Sequence, residues 1–132
     1  MEELLKRMEI SEKTIKQMLE ICPNIEELTS DEILEKIELL KEIKCNKSQI
    51  KNIISSNATY LDRSIADVKK LINKLTEKGF TALNILFDGN PYILNLDAYE
   101  IEEYIEKREQ KGENLEDIVD DLESNLYLFQ EI

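Results

Sequence analysis

The sequence predicts an all-α fold, specifically a right- or left-handed α-solenoid of helical hairpins with repeats of about 35 residues. The composition favours helices, since 132 residues include only three glycines and two prolines but many Leu, Ile, Glu and Lys. No window shows the sustained two-residue alternation of a half-buried strand. Helix caps, apolar positions and turns also recur together along the chain, which is typical of stacked helical repeats.

Helix starts recur in two alternating sets. Each start is a Ser, Thr, Asp or Asn, and most are followed three residues later by an acid or amide, because such a pair satisfies free backbone N–H groups. We name the helices predicted to start at Ser11, Asn46, Thr81 and Asn114 the A helices, and those predicted to start at Thr29, Ser64 and Asp97 the B helices. Every B start precedes the next A start by 17 residues. We call these fixed spacings of caps and turns the frame. The frame predicts that the third A helix is two residues shorter than the others.

The apolar positions of the B helices keep the frame that the caps set. A helix buries one stripe, so apolar residues must return at intervals of three or four residues. The positions that follow each cap by 4, 8 and 11 residues are occupied by Ile33, Val68, Ile101, Ile37, Ile72, Ile105, Leu40, Leu75 and Arg108. All but the last are aliphatic, and we predict that they form the core.

Two kinds of corner connect the helices. After each A helix comes a position held by Pro23, Ala58, Pro91 or Leu126. A proline cannot continue a helix, and the aliphatic residues behind it predict one short extra helical turn in each repeat. After the second and third B helices, Gly79 and Gly112 supply the left-handed residue that ends many helices.

These boundaries predict a single domain of residues 1–132, made only of repeats. Its parts are a partial repeat at 1–10, repeats at about 11–45, 46–80 and 81–113, and a final partial repeat at 114–132. Each repeat buries its apolar stripe against its neighbours. The incomplete repeats at both ends therefore predict exposed apolar surface and a tendency to self-associate.

One copy of the repeat carries a recognisable pattern. Between Leu75 and Ile105 the chain runs through a leucine, Gly-Phe-Thr, an A helix, Pro-Tyr-Ile-Leu, a polar cap and a B helix. This unit resembles the repeat of the mitochondrial transcription termination factor (mTERF) family, and by periodicity the resemblance extends from about Leu4 to Phe129. The resemblance implies a superhelix of helical hairpins and binding of double-stranded DNA or RNA through basic side chains. The side chains that would contact phosphates are Lys41, Lys44, Lys69, Lys70, Lys74 and Lys78.

The charge is distributed unevenly. The chain has 17 basic and 29 acidic side chains, a formal charge of −12, and no histidine. This balance disfavours a general affinity for phosphate backbones. Residues 41–80 nevertheless carry nine basic and four acidic side chains, whereas residues 85–132 carry three and 14. The acidic part offers a face to a basic partner, formed by Glu113, Glu116, Asp117, Asp120, Asp121 and Glu123.

Several function classes are disfavoured. Without histidine, acid–base catalysis would fall to carboxylates, which here are spread around a helix, so we expect no enzyme. Cys22 and Cys45 are 23 residues apart, outside zinc-site spacing, and no calcium-loop pattern occurs, so we expect no metal and no cofactor. The charged N-terminus lacks a signal peptide's apolar run, and no segment reaches membrane-spanning length. We therefore expect a cytoplasmic protein that does not enter the membrane.

The sequence favours a non-enzymatic binding or scaffold protein. Short solenoids present a groove, and the acidic C-terminal face would receive another protein, especially a basic one. One alternative is nucleic-acid binding through the lysine-rich middle. Another is that the acidic helix imitates a nucleic-acid backbone and occupies the groove of a nucleic-acid enzyme.

Overall fold

The computed structural model describes residues 1–132 and contains helices but no strand. The α-helices are α1 (Glu2–Arg7), α2 (Glu12–Ile21), α3 (Ser30–Glu42), α4 (Lys47–Ser56), α5 (Thr59–Asp62), α6 (Ile65–Lys78), α7 (Leu83–Gly89), α8 (Ala98–Gln110) and α9 (Leu115–Ser124). The A helices are α2, α4, α7 and α9, and the B helices are α3, α6 and α8. The prediction of an all-α helical-repeat fold is confirmed.

The extra turn predicted after each A helix is present in all four copies. Each A helix ends at a residue with φ between −132° and −147°, and these residues are Cys22, Asn57, Asn90 and Asn125. A 3₁₀ turn follows three of them, at Pro23–Glu27, Pro91–Asn95 and Leu126–Glu131, and α5 follows the second. Two copies form this turn without proline, so the aliphatic residues and the backbone geometry suffice.

The corners after the B helices also repeat in backbone geometry. Four residues have positive φ, namely Glu9 (65°), Lys44 (74°), Gly79 (107°) and Gly112 (95°). In each copy the next residue donates its N–H to the carbonyl five positions earlier, as Phe80 does to Leu75 at 3.0 Å. This is the Schellman ending of a helix. Only two of the four corners use the glycine that the sequence pattern would require.

All eight aliphatic stripe positions predicted for the B helices are buried. Six of them, including Leu40 and Leu75, are fully buried. The chain divides into two compact units, Met1–Ile65 and Ala66–Ile132, and the boundary lies at the start of α6. The single domain and the self-association expected from the terminal repeats stay predictions.

The third A helix differs from its prediction. The helix begins at Leu83 and not directly after Thr81, because Ala82 occupies the cap position with φ −110° and ψ 65° and has no side-chain acceptor. The Ala82 carbonyl accepts the first helical hydrogen bond, from the N–H of Leu86 at 3.0 Å. The helix has seven residues where the other A helices have ten, so it is shorter by three and not by two. This start places Leu83 and Leu86 in the core.

No helix of the chain is both long enough and apolar enough to cross a lipid bilayer.

Candidate functional site

The six lysines proposed to contact phosphates lie in different settings. Lys41 and Lys44 belong to the first compact unit, and both are exposed. Nζ of Lys41 lies 3.2 Å from the carboxylate of Glu38, one helical turn away. The other four lysines lie along α6, where they fall into an engaged pair and a free pair.

Lys74 and Lys78 form the engaged pair, which joins α6 to α8 through Glu102. Nζ of Lys74 lies 2.8 Å from Oε2 of Glu102, and Nζ of Lys78 lies 3.0 Å from Oε1. These hydrogen bonds lower the pKa of Glu102 to about 2, and the bond to Glu102 raises the pKa of Lys74. A phosphate would have to displace Glu102 to reach either lysine. We name these three residues the α6–α8 clasp.

Lys69 and Lys70 form the free pair. Both side chains are exposed on α6, and neither makes an ion pair or a side-chain hydrogen bond. Of the lysines on α6, these two are therefore the ones available to an anionic ligand.

Two of the six predicted acidic-face residues are engaged inside the fold. Arg108 of α8 donates to Oε2 of Glu113 at 2.9 Å, lies 2.9 Å from Oδ2 of Asp121, and donates to the Tyr104 hydroxyl at 3.2 Å. The hydrogen bond from Arg108 lowers the pKa of Glu113, and that bond is also the main cause of the raised pKa of Arg108. Arg108 occupies the repeat position of Leu40 and Leu75. At this position α8 therefore presents a guanidinium to α9, whereas α3 and α6 have leucine.

The other four acidic residues, Glu116, Asp117, Asp120 and Glu123, are exposed on α9. Three of them, Glu116, Asp120 and Glu123, line one groove, because a spacing of four and three residues returns to the same helix face. The groove has a volume of about 460 Å³, and Lys78, which is engaged by Glu102, also lines it together with Gly79 and Thr81. The half-buried Leu115 and the buried Val119 are its apolar lining. We name it the α9 groove.

A buried lysine was missed by the sequence reasoning. Lys36 on α3 is 5% exposed, and its Nζ donates to the carbonyl of Leu61 at 3.0 Å. The hydroxyl of the fully buried Tyr60 donates in turn to the carbonyl of Lys36 at 2.7 Å. Burial lowers the pKa of Lys36 and raises the pKa of Tyr60. The sequence did contain a signal for this burial. The other B helices have Leu71 and Tyr104 at the position of Lys36, seven residues after the cap.

A second pocket, also missed, lies in the first compact unit beside α1, α3 and α4. Its volume is about 510 Å³, and Leu4, Met8 and Leu34 are among the residues that line it. Leu34 is 41% exposed. The signal in the sequence was an apolar residue five residues after the Thr29 cap, outside the buried stripe. We name it the α1–α3 pocket.

Comparison with known proteins identifies one relationship. The family model for mTERF matches residues 2–119. No curated protein and no solved structure matches the chain.

Proposed function

The chain belongs to the mTERF family of helical-repeat proteins, and we propose that it is a non-enzymatic binding protein whose α9 groove receives a basic segment of a partner protein. The observation that carries the proposal is the row of three carboxylates, Glu116, Asp120 and Glu123, along one groove that also has apolar surface. A charged row beside apolar surface suits a segment in which basic and apolar side chains alternate on one face.

The charge of the second compact unit supports this partner chemistry. Residues 66–132 carry seven basic and 16 acidic side chains, and two of the basic ones, Lys74 and Lys78, are engaged by Glu102. Such a field attracts a cationic segment over distances up to about a Debye length, roughly 8 Å in physiological salt. It therefore increases the association rate and rejects acidic competitors.

The groove also sets the size of the contact. Glu116 and Glu123 are seven residues apart on α9, which corresponds to about 10 Å at 1.5 Å per residue. A helical partner segment would place two or three Lys or Arg side chains along that distance. The half-buried Leu115 would supply affinity that exposed charge pairs lack, since such pairs contribute only about 0–1 kcal/mol each.

The test is binding of a synthetic amphipathic helical peptide with Lys at every fourth position, Leu beside them on the same face and neutral polar residues elsewhere, measured by fluorescence anisotropy. We expect the variant Glu116→Lys/Asp120→Lys to bind at least about tenfold more weakly than the wild type, because each reversal turns attraction into repulsion. The matched control is Glu103→Lys/Glu106→Lys, which makes the same charge change on exposed residues of α8. Equal losses in both variants would show that only net charge matters and would refute the groove.

Nucleic-acid binding is a second candidate, and family membership together with the free Lys69 and Lys70 favours it. The test is titration of fluorescent duplex DNA and duplex RNA at several salt concentrations. If these lysines contact phosphates, Lys69→Glu/Lys70→Glu weakens binding by at least about tenfold and reduces the salt slope of the remaining binding by about 2. The matched control, Lys107→Glu/Lys111→Glu, would then retain binding. Salt-dependent binding that both variants weaken equally would count against a specific α6 site.

A further inference from the structure

The α1–α3 pocket is apolar at the positions where the equivalent junction in the second unit is charged. Leu34 and Glu102 both lie five residues after a B cap. Leu4 and Met8 precede the positive-φ residue Glu9 by five and one residues, as Lys74 and Lys78 precede Gly79. The frame thus aligns the trio Leu4, Met8 and Leu34 with the trio Lys74, Lys78 and Glu102. The second trio closes its junction with ion pairs, whereas the first lines a pocket of about 510 Å³.

The remaining lining divides the pocket into an apolar part and a cationic part. Ile37 and Ile50, both nearly fully buried, extend the apolar part. The charged side chains that line the pocket are Arg7, Lys41 and Lys47, and no carboxylate is among the lining residues. An apolar pocket with cations around it is complementary to a molecule with an aliphatic body and an anionic end.

Each of the three cations has a carboxylate neighbour outside the pocket. Arg7 pairs with Glu3 at 2.9 Å, Lys41 with Glu38 at 3.2 Å and Lys47 with Glu9 at 3.9 Å. All six side chains are more than half exposed. Exposed pairs of this kind are weak, so a bound anion can exchange with these carboxylates at little cost.

We propose that the α1–α3 pocket binds an aliphatic carboxylate, with its chain against Leu4, Met8 and Leu34 and its carboxylate at Arg7, Lys41 or Lys47. The volume of about 510 Å³ falls in the range of about 300 to 1,000 Å³ that small-molecule pockets occupy. A docked helix is disfavoured, because α1 has six residues and gives a wall of only about 9 Å. This inference is independent of the α9 groove.

The first test uses decanoate as the probe, with titration calorimetry and backbone-amide NMR shifts. We expect decanoate to shift the amides of Leu4, Met8 and Leu34, and each added methylene between hexanoate and decanoate to strengthen binding by up to about fourfold. Decyltrimethylammonium has a chain of the same length with a cation, and it should bind at least about tenfold more weakly. Equal binding of the two amphiphiles, or shifts confined to other residues, would overturn the proposal.

The second test changes the pocket itself. Leu34→Glu places a carboxylate in the apolar part, and we expect it to weaken decanoate binding by at least about tenfold. Ile85→Glu is the matched control, because Ile85 is 64% exposed and does not line the pocket. The triple variant Leu4→Lys/Met8→Lys/Leu34→Glu introduces the residues of the α6–α8 clasp and should abolish decanoate binding while the protein stays folded by circular dichroism. Unchanged decanoate binding in this folded variant would refute the proposal. A wild-type protein that binds an acidic amphipathic peptide but does not bind decanoate would also refute it.

Discussion

The junction between α1 and α3 and the junction between α6 and α8 have the same positions in the repeat but opposite chemistry. The first presents Leu4, Met8 and Leu34 to a pocket, whereas the second holds Glu102 between Lys74 and Lys78. The backbone corners beside them are alike, with positive φ at Glu9 and at Gly79. The repeat therefore determines where helices meet, while residues outside the buried stripe decide whether a junction is closed by ion pairs or lined by apolar side chains.

The largest expected effect tests whether the two units share one frame. Leu40 and Leu75 are both fully buried at the same stripe position, so Leu40→Ala and Leu75→Ala should each lower the free energy of unfolding by about 3 kcal/mol. Urea titration followed by circular dichroism measures both. A loss below about 1 kcal/mol at one of the two positions would mean that the units do not use this position in the same way.

The next effect concerns the clasp. Glu102→Leu removes the carboxylate between Lys74 and Lys78 and leaves Lys74 only its longer pair with Glu77, at 3.5 Å, so we expect the Tm to fall by roughly 3–6 °C. Adding Lys74→Leu and Lys78→Met recreates the apolar trio of the first unit and should recover most of that loss. Thermal melts of the single and triple variants decide the matter. A triple variant less stable than the single one would show that the second junction cannot adopt the apolar arrangement.

The clasp also predicts a smaller, pH-dependent difference. The pKa of Glu102 is about 2 in the folded protein, below its ordinary value of 4.5. Its contribution to stability is therefore complete above about pH 4.5 and disappears as the pH falls towards 2. We expect the Tm of the wild type to fall more steeply between pH 5 and 2.5 than that of Glu102→Gln. Parallel curves would mean that Glu102 does not titrate differently in the folded and unfolded states.

The smallest effect concerns the corners. A Cβ at Gly79 would meet no atom within 4 Å, so Gly79→Ala should cost about 1 kcal/mol through its positive φ alone. At the matched corner of the first unit Lys44 already adopts φ 74°, and Lys44→Gly should stabilise the protein by about 0.5 kcal/mol or leave it unchanged. Chemical denaturation of both variants measures the difference. A stabilising Gly79→Ala would contradict the role assigned to this corner.

The repeat was predictable from the sequence because its signals are local. Caps such as Asn46 with Gln49 lie three residues apart, and the reciprocal hydrogen bonds of that pair are present at 2.9 and 2.8 Å. The start of α7 was not, because Thr81 has the residue type of a cap but the helix begins after Ala82, whose backbone (φ −110°, ψ 65°) differs from the extended caps of the other A helices. Nor does a local pattern mark Glu9 and Lys44 as left-handed residues.

The candidate sites were predictable only in part, since they depend on contacts between distant residues. The exposed row on α9 follows from spacing within one helix. Engagement of Lys74 by Glu102, and of Asp121 by Arg108, depends on which helix faces meet. For the same reason no local pattern marks the α1–α3 pocket, which joins Leu4 and Met8 to the distant Leu34.

The enclosed amine of Lys36 has a further consequence for how the first unit opens. An acylating reagent needs a neutral, accessible amine, and Lys36 is 5% exposed and bonded to the Leu61 carbonyl, whereas Lys13 and Lys16 nearby in the sequence are exposed. Acylation of Lys36 therefore requires a transient opening that separates α3 from α5, and its rate relative to those two lysines reports how often that opening occurs. The acylation rate of Lys36 therefore measures local opening within residues 1–65.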